Sequence, residues 1–138
     1  MTGKEYMHQS KICRRKIRLL EEQIERDTTL AQGVGAIRYD KVNVQTSPVQ
    51  DRLTDIIDRI IKSTEELQKE ISKLQDFERE TGKYLLLLDE KYERVLSLHY
   101  LNNMSWCMVA EKLGYDDVYI YEIKNKALDA LTKVLKDN

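Results

Sequence analysis

Proline is almost missing from this chain, with Pro48 alone among 138 residues, and glycine is scarce at five. That excludes collagen-like repeats and Pro/Gly-rich disorder, and leaves little to interrupt long helices. Aromatic residues make up only 7% of the chain and charged residues 34%, a mix typical of helices rather than sheets. The two cysteines, Cys13 and Cys107, lie far apart and share no metal or redox spacing with a histidine. They read as reduced, structural thiols, in keeping with a cytoplasmic protein. His8 and His99 have no Cys or carboxylate pattern around them, so no metal site and no cofactor are expected. Neither sign of charge dominates: 23 Lys and Arg face 24 Asp and Glu, for a net charge of -1 and a pI near 6.2. Affinity for nucleic acid would have to be local. No apolar run approaches membrane-spanning length, and the N-terminus has no signal-peptide core, so the expectation is a soluble, cytoplasmic protein. A Ser-His-Asp set, a Gly-rich phosphate loop and a P-loop are all lacking, and an enzyme is not expected.

What the chain does have is helical periodicity. Ile12 or Cys13, Ile17, Leu20, Ile24 and Ala31 fall at spacings of three and four, which predicts a first helix over about 5–31. Gly33 and Gly35 are expected to break it. A connector over 33–47 follows, in which Val42 and Val44 alternate with polar residues and suggest an extended segment. Ser47 as cap, Pro48 at the first helical position and Gln50 three beyond Ser47 mark the start of a second helix. Its stripe of Leu53, Ile57, Ile60, Thr64, Leu67, Ile71, Leu74, Thr81 and Leu85 is heptad-like, and Ile56, Ile61 and Phe77 widen it. So broad a stripe suggests more than one partner helix: the first helix within the chain, with a second copy as one candidate for the other. The early part of the first helix is basic, with Lys4, Lys11, Arg14, Arg15, Lys16 and Arg18. It reads as a solvated face paired with Glu21 and Glu22, or as a surface for phosphate or an acidic partner.

The remainder, 83–138, reads as a small helical domain. Asp89 can cap a helix with Tyr92, Val95, Leu96, Leu98 and His99 inward, ended by Asn102 and Asn103. Ser105 can cap a short helix with Val109, Ala110 and Leu113 on its apolar face and Gly114 at its end. Asp116 can cap a longer last helix whose inner face is Ile120, Ile123, Ala127 and Leu131. Two helices joined at a glycine describe a helix-turn-helix, whose second helix can enter a DNA major groove. The predicted fold is therefore all-α: an N-terminal antiparallel helical hairpin over 1–82, coiled-coil-like, followed by a helix-turn-helix domain over 83–138.

The C-terminal part resembles region 4 of the bacterial primary sigma factors over about 89–135. The matching features are DEKYERVLSLHY, SW..VAEKLGY and VYIYEIKNKALDAL, the last with an Ile-x-x-x-Ala-Leu-x-x-Leu tail at Ile123, Ala127, Leu128 and Leu131. The whole chain is similar to small phage and prophage regulators that carry a sigma-region-4-like end behind a coiled-coil front. The resemblance implies DNA-linked transcription control, such as activation of late phage genes, with double-stranded DNA as partner. The sequence departs from the family in the recognition helix, whose first turns are Arg-rich in region 4. Here the positions hold Asp117, Val118, Tyr119, Tyr121 and Glu122, so sigma-type promoter specificity does not carry over.

With a recognition helix over about 117–135 in the major groove, Val118, Glu122 and Asn125 lie opposite its apolar face. Asn125 can pair with adenine, and Glu122 can accept from cytosine. Tyr119 and Tyr121 can bond phosphates, and Ser105, Lys124, Lys126 and Lys133 can grip the backbone. The alternative is that the tyrosines cover the core edge and the acids only favour the helix start, making the domain a protein-interaction module. Trp106 is expected to pack beneath the domain. The hairpin would dimerise the protein or dock on RNA polymerase. A phage structural or assembly protein is a third reading, resting on the coiled coil alone.

Overall fold

Apolar side chains at spacings of three and four, almost uninterrupted by proline, put the described residues into helices, with no strand among them. The computed structural model describes residues 1–40 and 47–137. The elements are α1 (Gly3–Asp40), α2 (Ser47–Leu85), α3 (Glu90–Leu96), a π-helical turn (Ser97–Leu101), α4 (Trp106–Leu113) and α5 (Asp117–Asp137). The extended run expected around Val42 and Val44 lies outside the described residues.

The first helix is longer than the sequence suggested. Gly33 does not end it; α1 runs on to Asp40. A helical glycine costs about 1 kcal/mol relative to alanine. Burial of Val34, one residue on, contributes about as much in the other direction or more.

Packing divides the chain into two compact units, Met1–Cys13 with Lys73–Asn138, and Arg14–Ser72. The division by packing thus differs from one at Gly82, because the first three turns of α1 and the end of α2 from Lys73 belong with the C-terminal helices.

In the unit Arg14–Ser72, α1 turns Ile17, Leu20, Ile24, Asp27, Ala31 and Val34 inward, at alternating spacings of three and four. From α2 come Leu53, Ile56, Ile60, Ser63, Leu67 and Glu70. Asp27 accepts from Arg59 Nη2 at 3.2 Å, and Lys16, Leu19 and Leu20 share a groove with Glu66, Lys69 and Glu70. Leu53, Ile60 and Leu67 of the expected stripe face inward, but its other edge lies one position off. Ile56 and Ser63 are buried, whereas Ile57, Ile61 and Ile71 are 44%, 51% and 38% exposed. Each inward residue has its equivalent seven positions on, so the seam is a regular heptad, but polar side chains fill part of it.

In the unit Met1–Cys13 with Lys73–Asn138, one core cluster joins Tyr6, Met7, Leu85, Leu96, Tyr100, Ala127, Leu128 and Leu131. A second joins Val95, Leu98, Val109, Ala110, Ile120 and Ile123, and Tyr92 and Trp106 pack against both. Met7 is fully buried, which stabilises the docked α1 start by about 1.5–3 kcal/mol. Gly3 makes that docking possible. A Cβ there would lie 2.6 Å from the Leu128 carbonyl oxygen, and the Gly3 N–H donates to Thr132 Oγ1 at 2.7 Å. Tyr6 is held by Thr81, whose hydroxyl lies 3.1 Å from the Tyr6 oxygen, and by the rings of Phe77 and Tyr84.

Candidate nucleic-acid interface

The local signals around α4 and α5 fold as the sequence predicts. Asp89 precedes α3 at its cap position without a side-chain cap bond. After α3, the π-helical turn buries three consecutive side chains, Leu98, His99 and Tyr100, which an α-helix would spread over separate faces. Asn103 then takes a left-handed conformation, φ 58°, which asparagine tolerates better than most residues. Ser105 caps α4, its Oγ accepting the Met108 N–H at 3.2 Å. Gly114, at φ 74°, ends α4; Tyr115 N–H returns to the Ala110 carbonyl and Gly114 N–H to that of Glu111. Asp116 caps α5, its Oδ1 accepting the Tyr119 N–H at 2.7 Å. Ile120, Ile123, Ala127, Leu128 and Leu131 are buried.

With its inner face fixed, α5 presents Val118, Tyr121, Glu122 and Asn125 on one exposed face. Val118 is 70% and Tyr121 63% exposed. At 100° per residue, Lys126 and Lys133, both exposed, flank this face on one side, and Lys124 flanks it on the other. Ser105 is exposed at the start of α4. Tyr119 stands apart from this group. Its hydroxyl accepts from Lys91 Nζ at 2.5 Å, and its ring meets Tyr115 edge-on. That bond raises the Lys91 pKa.

Lys124 is half-buried, its Nζ 5.2 Å from the Trp106 ring centroid and 5.7 Å from that of Tyr121. Trp106 in turn stacks on His99, and His99 Nδ1 donates to the Met104 carbonyl at 2.7 Å. Burial first, then the charge of Lys11, pushes the His99 pKa down to about 4, so the ring is neutral. On the far side of this aromatic group, Lys11 of α1 sits over Tyr100 at 5.3 Å. Desolvation first, then the charges of Lys124 and Lys4, lowers the Lys11 pKa. The sequence shows Lys4 and Lys11 as part of a basic run, a solvated face or a surface for phosphate or an acidic partner, and no local signal links them to Lys124.

The arrangement offers one exposed polar and apolar helix face with cations on both flanks. Asp117 and Glu122 remain exposed at its start. Among the described residues no group of three His, Cys, Asp or Glu side chains could hold a metal ion, and no helix is long and apolar enough to cross a membrane. No known protein family, curated protein or solved structure matches this chain.

Proposed function

We propose that this protein is a DNA-binding transcription regulator of the phage or prophage type. In this reading α4 and α5 form a helix-turn-helix, and α5 enters the major groove. The observation that carries it is the exposed face Val118, Tyr121, Glu122 and Asn125 on the helix that follows a Ser105-capped, Gly114-terminated partner. Asn125 reads a base edge, Glu122 accepts from cytosine, and Lys124, Lys126 and Lys133 contact phosphate.

The N-terminal helices act as an antiparallel hairpin in this reading. The bond between Asp27 and Arg59, and the groove that Lys16 and Leu20 share with Glu66 and Glu70, support opposite chain directions. The exposed Ile57, Ile61 and Ile71 edge of α2 joins two copies, and two copies match the paired half-sites that such domains read. RNA polymerase is the alternative partner of the hairpin.

The test is selection of binding sequences from random duplex DNA with purified protein at low and near-physiological salt. An enriched motif that survives physiological salt supports sequence-specific regulation. Absence of any binding at either salt rules it out.

A second reading has its own observation. Val118 and Tyr121 are exposed apolar side chains next to Asp117 and Glu122, and Met108 of α4 is exposed as well, a composition suited to a protein partner. Replacing Lys124, Lys126 and Lys133 by Ala separates the two: loss of activity with the fold intact supports DNA, and retained activity supports protein contact.

A further inference from the structure

We propose that Lys4 and Lys11 of α1, together with Lys124 of α5, form a phosphate site that holds one strand of duplex DNA alongside α5. The inference rests on the DNA-binding reading above and adds to it a contact surface from the opposite end of the chain.

Three observations converge. First, the start of α1 is fixed in the C-terminal unit. Met7 is fully buried, and Gly3 lies against Leu128 and Thr132 of α5. Lys4 and Lys11 are three positions before and four positions after Met7, so they share a helix face and sit on an anchored segment. They are separated by seven residues, or roughly 10 Å along the axis.

Second, the cations converge without acids to neutralise them. Among the described residues no carboxylate pairs with Lys4, Lys11 or Lys124 within 4.0 Å. The ammonium groups of Lys11 and Lys124 rest instead on the rings of Tyr100 and Trp106. An aromatic face attracts a cation but leaves its full charge in place for an incoming anion. Like charges gathered in this way cost free energy unless a polyanion relieves them.

Third, the site lies on the flank of α5 that a groove would need. A helix in the major groove has a phosphate wall on each side. Lys126 and Lys133 face one wall. Lys124 alone faces the other from within α5, and α1 places Lys11 over Tyr100, whose ring centroid is 6.0 Å from that of the Trp106 ring under Lys124, with Lys4 two turns before Lys11 on the same face. With Asp117 and Glu122 at the helix start, cations on both walls offset the repulsion those acids impose.

The test uses the full chain and a Lys4→Gln/Lys11→Gln variant, which removes both ammonium groups, keeps polar side chains on the helix, and leaves Lys124 on its rings. Circular dichroism and thermal melting first establish that the variant folds as the parent does. Binding to a labelled duplex is then measured across a salt series. A phosphate contact contributes about 0.9 to the slope of log K against log salt. The expected result is a slope smaller by about 2 in the variant, with any sequence preference unchanged. An unchanged slope overturns the proposal. If the parent binds no duplex, the DNA reading itself falls, and tripolyphosphate titrated against Trp106 fluorescence decides the cluster. A shift in the parent that the variant lacks upholds an anion site, and no shift in either overturns it.

Discussion

The imidazole of His99 lies on the indole of Trp106, ring centroids 3.8 Å apart and planes 16° from parallel. The pair closes the gap between the π-helical turn and α4. His99 Nε2 is buried with no hydrogen-bond partner, and Nδ1 is committed to the Met104 carbonyl. A proton on Nε2 would therefore be buried with no acceptor. Burial, then Lys11, holds the pKa at about 4 against an ordinary 6.5. Between those values the unfolded chain binds a proton that the folded chain does not. Stability from this group is thus complete above about pH 6.5 and falls as pH drops towards 4. The loss is on the order of 3 kcal/mol. Urea unfolding followed by Trp106 fluorescence at pH 7, 5.5 and 4 measures it. His99→Phe keeps a stacked ring with nothing to protonate, so the pH dependence lost in this variant is the part due to His99. Equal pH dependence in parent and variant would contradict the assignment.

Two glycine-to-alanine changes should move stability in opposite directions. Gly3→Ala places a Cβ 2.6 Å from the Leu128 carbonyl oxygen and 3.1 Å from the Leu131 Cβ, contacts that backbone must move to relieve. A loss of about 1–3 kcal/mol is expected. Amide exchange over residues 3–13 should speed up with it. At Gly33 a new Cβ meets nothing within 4 Å, and the residue is helical. Gly33→Ala should stabilise by about 0.5–1 kcal/mol. Thermal melts of the two variants against the parent decide both signs.

The C-terminal caps were legible in the sequence because each is made within a few residues. Ser105 reaches Met108, Asp116 reaches Tyr119, and Gly114 turns the chain where it stands. The inner face of α5 follows from the same local periodicity. Two features were not legible, for different reasons. In α2, Ile56 neighbours Ile57 and Ile60 neighbours Ile61, so two edges are equally apolar, and only packing against α1 selects one. The seam it selects takes in Ser63 and Glu70, which hydropathy alone would have excluded. The Lys4–Lys11–Lys124 group depends on docking between segments such as Gly3 and Thr132, 129 positions apart, which no local pattern encodes. The glycine at 33 misled in the ordinary way: a weak helix breaker was outweighed by the buried Val34 beyond it.

On α5, Asn125 and Tyr119 should behave differently in DNA binding. Asn125 is exposed on the face directed at bases in the proposed complex. Asn125→Ala should weaken binding to the selected motif by about 1–3 kcal/mol and relax the preference at one base pair. The hydroxyl of Tyr119 is already engaged by Lys91. Tyr119→Phe should leave DNA affinity within twofold of the parent. Competition binding with motif variants checks the first expectation, and a direct titration checks the second. Weakening by Tyr119→Phe as large as that by Asn125→Ala would mean that the Lys91 bond gives way to a phosphate contact.

The exposed edge of α2 bears on how many copies act together. Ile57, Thr64 and Ile71 recur every seven residues, and Ile61 lies one turn from Ile57. These positions flank a seam that already contains Asp27, Ser63 and Glu70, so the pairing of α1 with α2 in the unit Arg14–Ser72 rests on fewer apolar side chains than a heptad seam can hold. Exposed isoleucines beside an apolar-poor seam lose least when a second copy covers them. The full chain should therefore sediment at twice its 16.3 kDa mass at micromolar concentration. Ile57→Gln with Ile61→Gln should shift it to the single-chain mass. Neither side chain is buried, so helix content should not change. A parent that sediments as a single chain at all concentrations would leave this edge without a second copy. In that case each bound protein would cover only one half-site, and the selected DNA motif should show no two-fold symmetry.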